Sequence, residues 1–160
     1  MRILLVCLGN ICRSPTAEGV LRHSLRAAGL LGEVEVESAG TGGWHVGHPP
    51  DERATRAAAT REIELTGEAR RFEPGDFDRF DLILAMDRAN LEEMRALAPG
   101  PEAEAKLGLL REHDPAAVAA GELEVPDPYY GGDDGFEHVL DVVQRACDGL
   151  VAEIRAERTT

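Results

Sequence analysis

The chain has 160 residues, 43% of them hydrophobic and 29% charged, with a formal net charge of −13. That size and balance fit one soluble globular domain over residues 1–160, and exclude a disordered chain, a collagen or a coiled-coil rod. So acidic a chain lacks the basic stripe of a nucleic-acid binder and is repelled by anionic membranes; an anionic ligand must be caught by one local site against the global field.

Cys7, Cys12 and Cys147 are the only cysteines. An odd number makes a poor disulfide framework and fits a reducing compartment. The opening apolar run, Ile3 to Leu8, is too short for a signal-peptide core or a membrane span. The expectation is a cytoplasmic protein without internal repeats.

The run from Ile3 to Leu8 has strand length and suits a strand covered on both faces, as in a parallel sheet. A turn-rich loop, Gly9 to Arg13, follows. Ser14-Pro15 reads as a helix start, with Ser14 as the N-cap. Ala17, Val20, Leu21, Leu25 and Ala28 share one face of that helix, and Gly29 ends it. Val34 to Ser38 alternates as a second strand. Asp51 caps a helix through about Arg61, Phe80 to Met86 holds a third strand, and Asp87 caps a helix to about Leu97. Ala105 to Leu110 carries a fainter strand signal. The last helix is marked by Phe136, Val139, Leu140, Val143, Cys147, Leu150 and Ile154. Strands alternating with helices imply a parallel α/β sheet with right-handed crossovers, whose ligands sit at the carboxyl ends of strands.

The first such end carries Cys7-Leu8-Gly9-Asn10-Ile11-Cys12-Arg13-Ser14. A loop of this length between strand and helix can curl its N–H groups inward as an anion nest, reinforced by the positive helix terminus. Gly9 and Asn10 are types that tolerate the left-handed backbone a curl needs. Arg13 can close the ring with a planar fork for two phosphate oxygens. Cys7 then lies at the floor, where the same dipoles favour its thiolate as a nucleophile. Ser14 can donate its hydroxyl to that sulfur as well as cap the helix. A bare Cys-x5-Arg pair fits a buried thiol and a surface arginine better than a site; the strand before, Gly-Asn within and Ser-Pro after turn the balance to the nest.

Other motifs fail. A Walker A loop needs Gly-Lys-Ser/Thr, and Lys106 is the only lysine. Gly40-Thr41-Gly42-Gly43 lacks the last glycine of a dinucleotide fingerprint, no serine lies in Gly-x-Ser-x-Gly, and no second Cys pair supports a structural zinc. Phosphoryl transfer from an alcohol also gains from a proton donor. Asp127, between Pro126 and Pro128, is the candidate, although an Asp in an exposed Asp-Pro turn reads the same way. Trp44, Tyr129 and Tyr130 all fall in Gly- or Pro-rich loops, where aromatics are binding-surface candidates, whereas Phe72, Phe77, Phe80 and Phe136 read as core anchors.

These residues resemble the low-molecular-weight protein tyrosine phosphatases nearly end to end. Val6 to Pro15 is similar to the family's phosphate-binding loop, and Asp127-Pro128-Tyr129-Tyr130 to its acid loop. Ser38 to Thr41, Trp44, Gly47, Asp51 to Ala54, and Asp78 through Asn90 are similar to its other blocks. The resemblance implies a Rossmann-like, twisted four-stranded parallel sheet flanked by helices on both faces. It also implies hydrolysis of phosphotyrosine proteins or small aryl phosphates through a phosphocysteine, with inorganic phosphate as product. Cys7 carries over as nucleophile, Arg13 as phosphate clamp and Asp127 as general acid and base. Leu8, Gly9, Asn10, Ile11, Cys12 and Ser14 carry over as the phosphate loop and its supports, and Leu8, Trp44, Tyr129 and Tyr130 as pocket walls. No metal and no cofactor are implied, and the expected state is a monomer or weak dimer. The family's arginine phosphatases place Thr where Ile11 stands, so Ile11 favours phosphotyrosine. Cys12 is a candidate for a reversible, protective disulfide with Cys7, or simply packs beneath the loop. Arsenate reduction, which needs a relay thiol such as Cys147, and a non-enzymatic phosphate sensor are the alternatives.

Overall fold

The computed structural model describes residues 1–128 and 132–159. Tyr129 and Tyr130 lie outside the described residues.

Four parallel strands form one sheet: β1 (Arg2–Cys7), β2 (Glu35–Gly40), β3 (Leu82–Ala85) and β4 (Leu107–Leu109), in the order β2-β1-β3-β4. The helices are α1 (Arg13–Ala27), α2 (Glu52–Ala59), α3 (Asp76–Arg79), α4 (Arg88–Leu97), α5 (Pro101–Glu104), α6 (Pro115–Ala120) and α7 (Asp133–Thr159), with a 3₁₀ turn over Leu110–His113. Among the described residues, no helix is long and apolar enough to cross a membrane.

The central strand explains the two layers. Side chains alternate across a strand, so Ile3, Leu5 and Cys7 join the core against α1, α2 and α7, while Leu4 and Val6 join the opposite core with Phe72, Phe77, Phe80, Ile83, Leu91 and Met94. Ile3, Leu4 and Leu5 have no exposed surface. Each such side chain contributes about 1.5–3 kcal/mol by leaving water. The expected strands and the four long helices are present, with Asp51 and Asp87 capping α2 and α4 through their carboxylates.

One local expectation is corrected here. α1 begins at Arg13 with Cys12 at the cap position and no side-chain cap, so Ser14 is not the N-cap. The loop's amides run directly into the helix, and the Ser14 hydroxyl is engaged elsewhere. The short α3, α5, α6 and the 3₁₀ turn were not anticipated, because four to six residues hold less than two turns of periodicity. The far end of α1 stops as expected: Gly29 adopts φ +74°, its N–H bonds Arg26 O, and Leu30 N–H bonds Leu25 O at 2.8 Å. That pairing satisfies two terminal carbonyls and buries Leu30.

Candidate active site

Several segments meet at the carboxyl ends of β1, β2 and β3. They are the loop from Cys7, the loop after Gly40, the turn at Met86-Asp87, and the segment 125–128. The last is docked there by Val125 N–H on Met86 O at 2.8 Å. Between them lies a cleft of about 340 Å³ lined by Cys7, Leu8, Gly9, Ile11, Cys12, Arg13, Trp44, His45 and Asp127. The fold therefore brings Asp127 to the loop of Cys7 and Arg13, which their separation along the chain could not establish. Trp44 and Leu8 form its exposed walls, at 72% and 38% relative exposure.

Asn10 organises the loop. Its φ of 57° is the left-handed conformation expected of it. Gly9 does not share that conformation, contrary to expectation. Its lack of a side chain makes room instead, since a methyl group there would lie 3.0 Å from His45 Cδ2. The Asn10 N–H donates to Cys7 Sγ at 3.2 Å, while Arg70 N–H donates to Asn10 Oδ1 at 3.0 Å. The second bond fixes the amide orientation, so Nδ2 donates to Ser14 Oγ at 2.8 Å and Ser38 Oγ at 3.0 Å. Ser14 Oγ lies 3.0 Å from Cys7 Sγ. Already an acceptor from Asn10, it has one hydrogen, which the nearer sulfur competes for with Ala39 O at 3.4 Å. Ser38 passes its hydrogen to Glu18 at 2.7 Å. Burial pushes the Glu18 carboxyl above the ordinary carboxylate range, against the bond from Ser38 and the charge of Arg22.

Arg13 is only 4% exposed. Its Nη1 donates to Asp87 Oδ2 at 2.6 Å and to Val125 O at 3.0 Å. Its Nη2 lies 3.8 Å from Asp127 Oδ2. Among the described residues Nε and Nη2 donate no hydrogen bond, leaving two parallel donors for an anion in the cleft. Burial opposes the charge, but Cys7, then the bond and charge of Asp87, and Asp127 outweigh it and hold the guanidinium protonated.

Cys12 is buried and lines the cleft; burial first, then the charges of Asp51, Cys7 and Asp127, push its thiol up to about 12. Cys147 has no exposed surface and lies 3.9 Å from Ala17 O; burial pushes its thiol far up. All three cysteines are free thiols.

Sequence reasoning missed His45, the Asp87 and Val125 partners of Arg13, and the polar chain to Glu18. The available signals were that His45 directly follows Trp44, and that Asp87 occupies the turn after β3 at the same sheet edge as Cys7.

A thiol floor, an amide and hydroxyl on the sulfur, and a buried arginine with donors to spare make a thiol-bearing site suited to an anion at the carboxyl edge of a parallel α/β sheet. The family model for low molecular weight phosphotyrosine protein phosphatases matches residues 2–160. A low molecular weight protein-tyrosine-phosphatase of Streptomyces coelicolor is 49% identical over 156 residues, covering 98% of this chain and 94% of the relative. The human low molecular weight phosphotyrosine protein phosphatase is 39% identical over 146 residues, covering 91% and 90%. The crystal structure of an Entamoeba histolytica protein tyrosine phosphatase with Hepes in its active site aligns with TM-score 0.93 at 34% identity, covering 99% of each chain. YfkJ of Bacillus subtilis aligns with TM-score 0.89 at 37% identity, covering 98% of this chain and 96% of YfkJ. The chain belongs to the low molecular weight phosphotyrosine protein phosphatase family.

Proposed function

We propose that this chain, as a single domain over residues 1–160 acting in the cytoplasm, hydrolyses phosphotyrosine and other aryl phosphate monoesters through a phosphocysteine on Cys7. The observation that carries the reading is the convergence of Cys7 Sγ, the two open donors of Arg13 and the Asp127 carboxyl on one cleft.

Arg13 Nε and Nη2 hold two phosphoryl oxygens and place phosphorus over Cys7 Sγ. The sulfur attacks as thiolate, the bond from phosphorus to the phenolic oxygen breaks, and Asp127 gives its proton to the departing oxygen. Asp127, now carboxylate, takes a proton from water as that water attacks phosphorus. The S–P bond breaks, and inorganic phosphate leaves. Ser14 and the Asn10 amide hold the sulfur's charge in both steps. The phosphoryl group is loosely bonded at the transition state, so positioning and charge stabilisation supply most of the acceleration.

Leu8, Trp44, Tyr129 and Tyr130 serve in this reading as walls for the aromatic ring. Ile11, where the arginine phosphatases of the family place Thr, supports phosphotyrosine. The burial of Cys147 counts against a thiol relay for arsenate. Cys12 serves as the protective partner: after peroxide converts the Cys7 thiolate to a sulfenic acid, the Cys12 thiol displaces water and closes a disulfide.

Turnover of p-nitrophenyl phosphate and phosphotyrosine tests the proposal. Cys7→Ser abolishes it while the circular dichroism spectrum persists, and rapid quench of Asp127→Ala traps one phosphate on Cys7. Binding of phosphate by wild type without turnover sinks the enzymatic reading in favour of a sensor.

A further inference from the structure

Leu8 and Trp44 wall the catalytic cleft on one side and, on the other, a second groove that also holds Arg71 and Glu93. The sheet edge fixes how far apart these are. Gly40 pairs with Cys7 through β1 and forms a parallel bridge with Arg71 on its other side, and Phe72 N–H on Gly40 O at 2.7 Å holds that edge. Two inter-strand steps put the Arg71 backbone about 10 Å from that of Cys7. That is the reach of a side chain one to three residues from the phosphotyrosine, in a peptide crossing the rim at about 3.3 Å per residue.

Arg71 is one of the few arginines without a carboxylate beside it among the described residues. Among the described residues only Arg26, Arg56, Arg71 and Arg155 lack a carboxylate partner, and Arg71 alone of the four lines a groove continuous with the cleft walls. Its guanidinium is exposed and donates no hydrogen bond among the described residues. Glu93 shares the groove without pairing with it. In a chain of net charge −13, an acidic peptide meets repulsion nearly everywhere. An open guanidinium at the rim offers such a peptide a local, bidentate landing point.

We propose that Arg71 forms a second anion subsite that selects peptide substrates carrying an acidic side chain, a carboxylate or a second phosphoryl group, within three residues of the phosphotyrosine. This rests on the phosphotyrosine reading of the cleft. The acidic side chain enters the groove that Trp44 and Arg71 line, and the charge of Glu93 in the same groove opposes it.

The test compares kcat/KM for phosphotyrosine peptides with Glu, with Gln, or with a second phosphotyrosine at flanking positions, using p-nitrophenyl phosphate as a substrate with no flank. Wild type prefers the acidic peptides about 3–10-fold, a preference carried by KM and screened by 0.5 M salt. Arg71→Gln removes the preference, Arg71→Lys keeps part of it, and Glu93→Gln enlarges it, all with unchanged p-nitrophenyl phosphate turnover. The Glu and diphosphorylated peptides separate a carboxylate from a phosphoryl ligand. If Arg71→Gln disturbs p-nitrophenyl phosphate turnover, Glu93→Gln and the salt dependence of wild type decide. Equal kcat/KM for Glu and Gln peptides in wild type, or an acidic preference that survives Arg71→Gln, overturns the subsite alone. Absent turnover of every aryl phosphate overturns the phosphatase reading beneath it.

Discussion

Arg13 and Asp76 each carry a charge away from water, and they are satisfied in opposite ways. Asp76, with no exposed surface, is saturated: Arg70 grips both its oxygens at 3.1 Å, and Glu73 N–H and Arg79 Nη2 add bonds at 2.8 and 2.7 Å. Burial raises its pKa, but the bonds from Arg70, Glu73 and Arg79 outweigh that and hold the carboxyl below its usual range. Among the described residues Arg13 makes its hydrogen bonds through Nη1 alone, with Nη2 3.8 Å from Asp127, and lines the cleft with the rest of its fork. A closed ion cluster can only hold the fold together, whereas an incomplete one has capacity left for a ligand. Arg70 joins the two, since its guanidinium holds Asp76 while its N–H holds Asn10.

The largest effect should come from Arg13→Lys, which keeps the charge and loses the fork. We expect kcat/KM for p-nitrophenyl phosphate to fall about 10²–10³-fold, as when a transition-state donor is removed. An activity loss below tenfold would contradict the open-fork assignment. Asp76→Ala breaks the saturated cluster and should cost about 3–5 kcal/mol by urea titration, with kcat of the folded enzyme within about twofold of wild type. A tenfold fall in kcat would merge the two regions instead of separating them.

pH sharpens the contrast. A depressed carboxyl contributes stability above its unfolded pKa, ordinarily 3.8, and loses it as pH falls through the lower folded value. Asp76→Asn should therefore lose much of the steepness of acid unfolding below about pH 4. Glu18 runs the other way. Its raised pKa means a cost that begins near the ordinary 4.5 and grows as pH rises to the folded value. Glu18→Gln should flatten that upper limb in thermal melts, and a pH-independent shift would count against it. The smallest effect belongs to exposed pairs: Arg2→Ala, at 39% side-chain exposure beside Glu35, should move stability by less than about 1 kcal/mol in the same urea titration.

The loop from Cys7 to Ser14 was legible because it is one contiguous stretch whose strand, turn and helix signals agree. Pro126-Asp127-Pro128 was legible as a stiff acidic turn, but its arrival at Cys7 depends on Val125 docking on Met86, which no local pattern encodes. Asp87 was read correctly as a cap for α4, and its second oxygen on Arg13 stayed hidden because pairing across the sheet leaves no spacing to read. Gly9 was misread for a related reason. Its neighbour His45 belongs to another loop, and backbone freedom is the only role that a glycine announces locally.

Val125 sits at the junction of two working parts. Its N–H is moored to Met86 O at the end of β3 and its carbonyl to Arg13, only two positions before Asp127. Arg13 and Asp127 therefore share one hinge pin, so a shift of that peptide plane moves both at once.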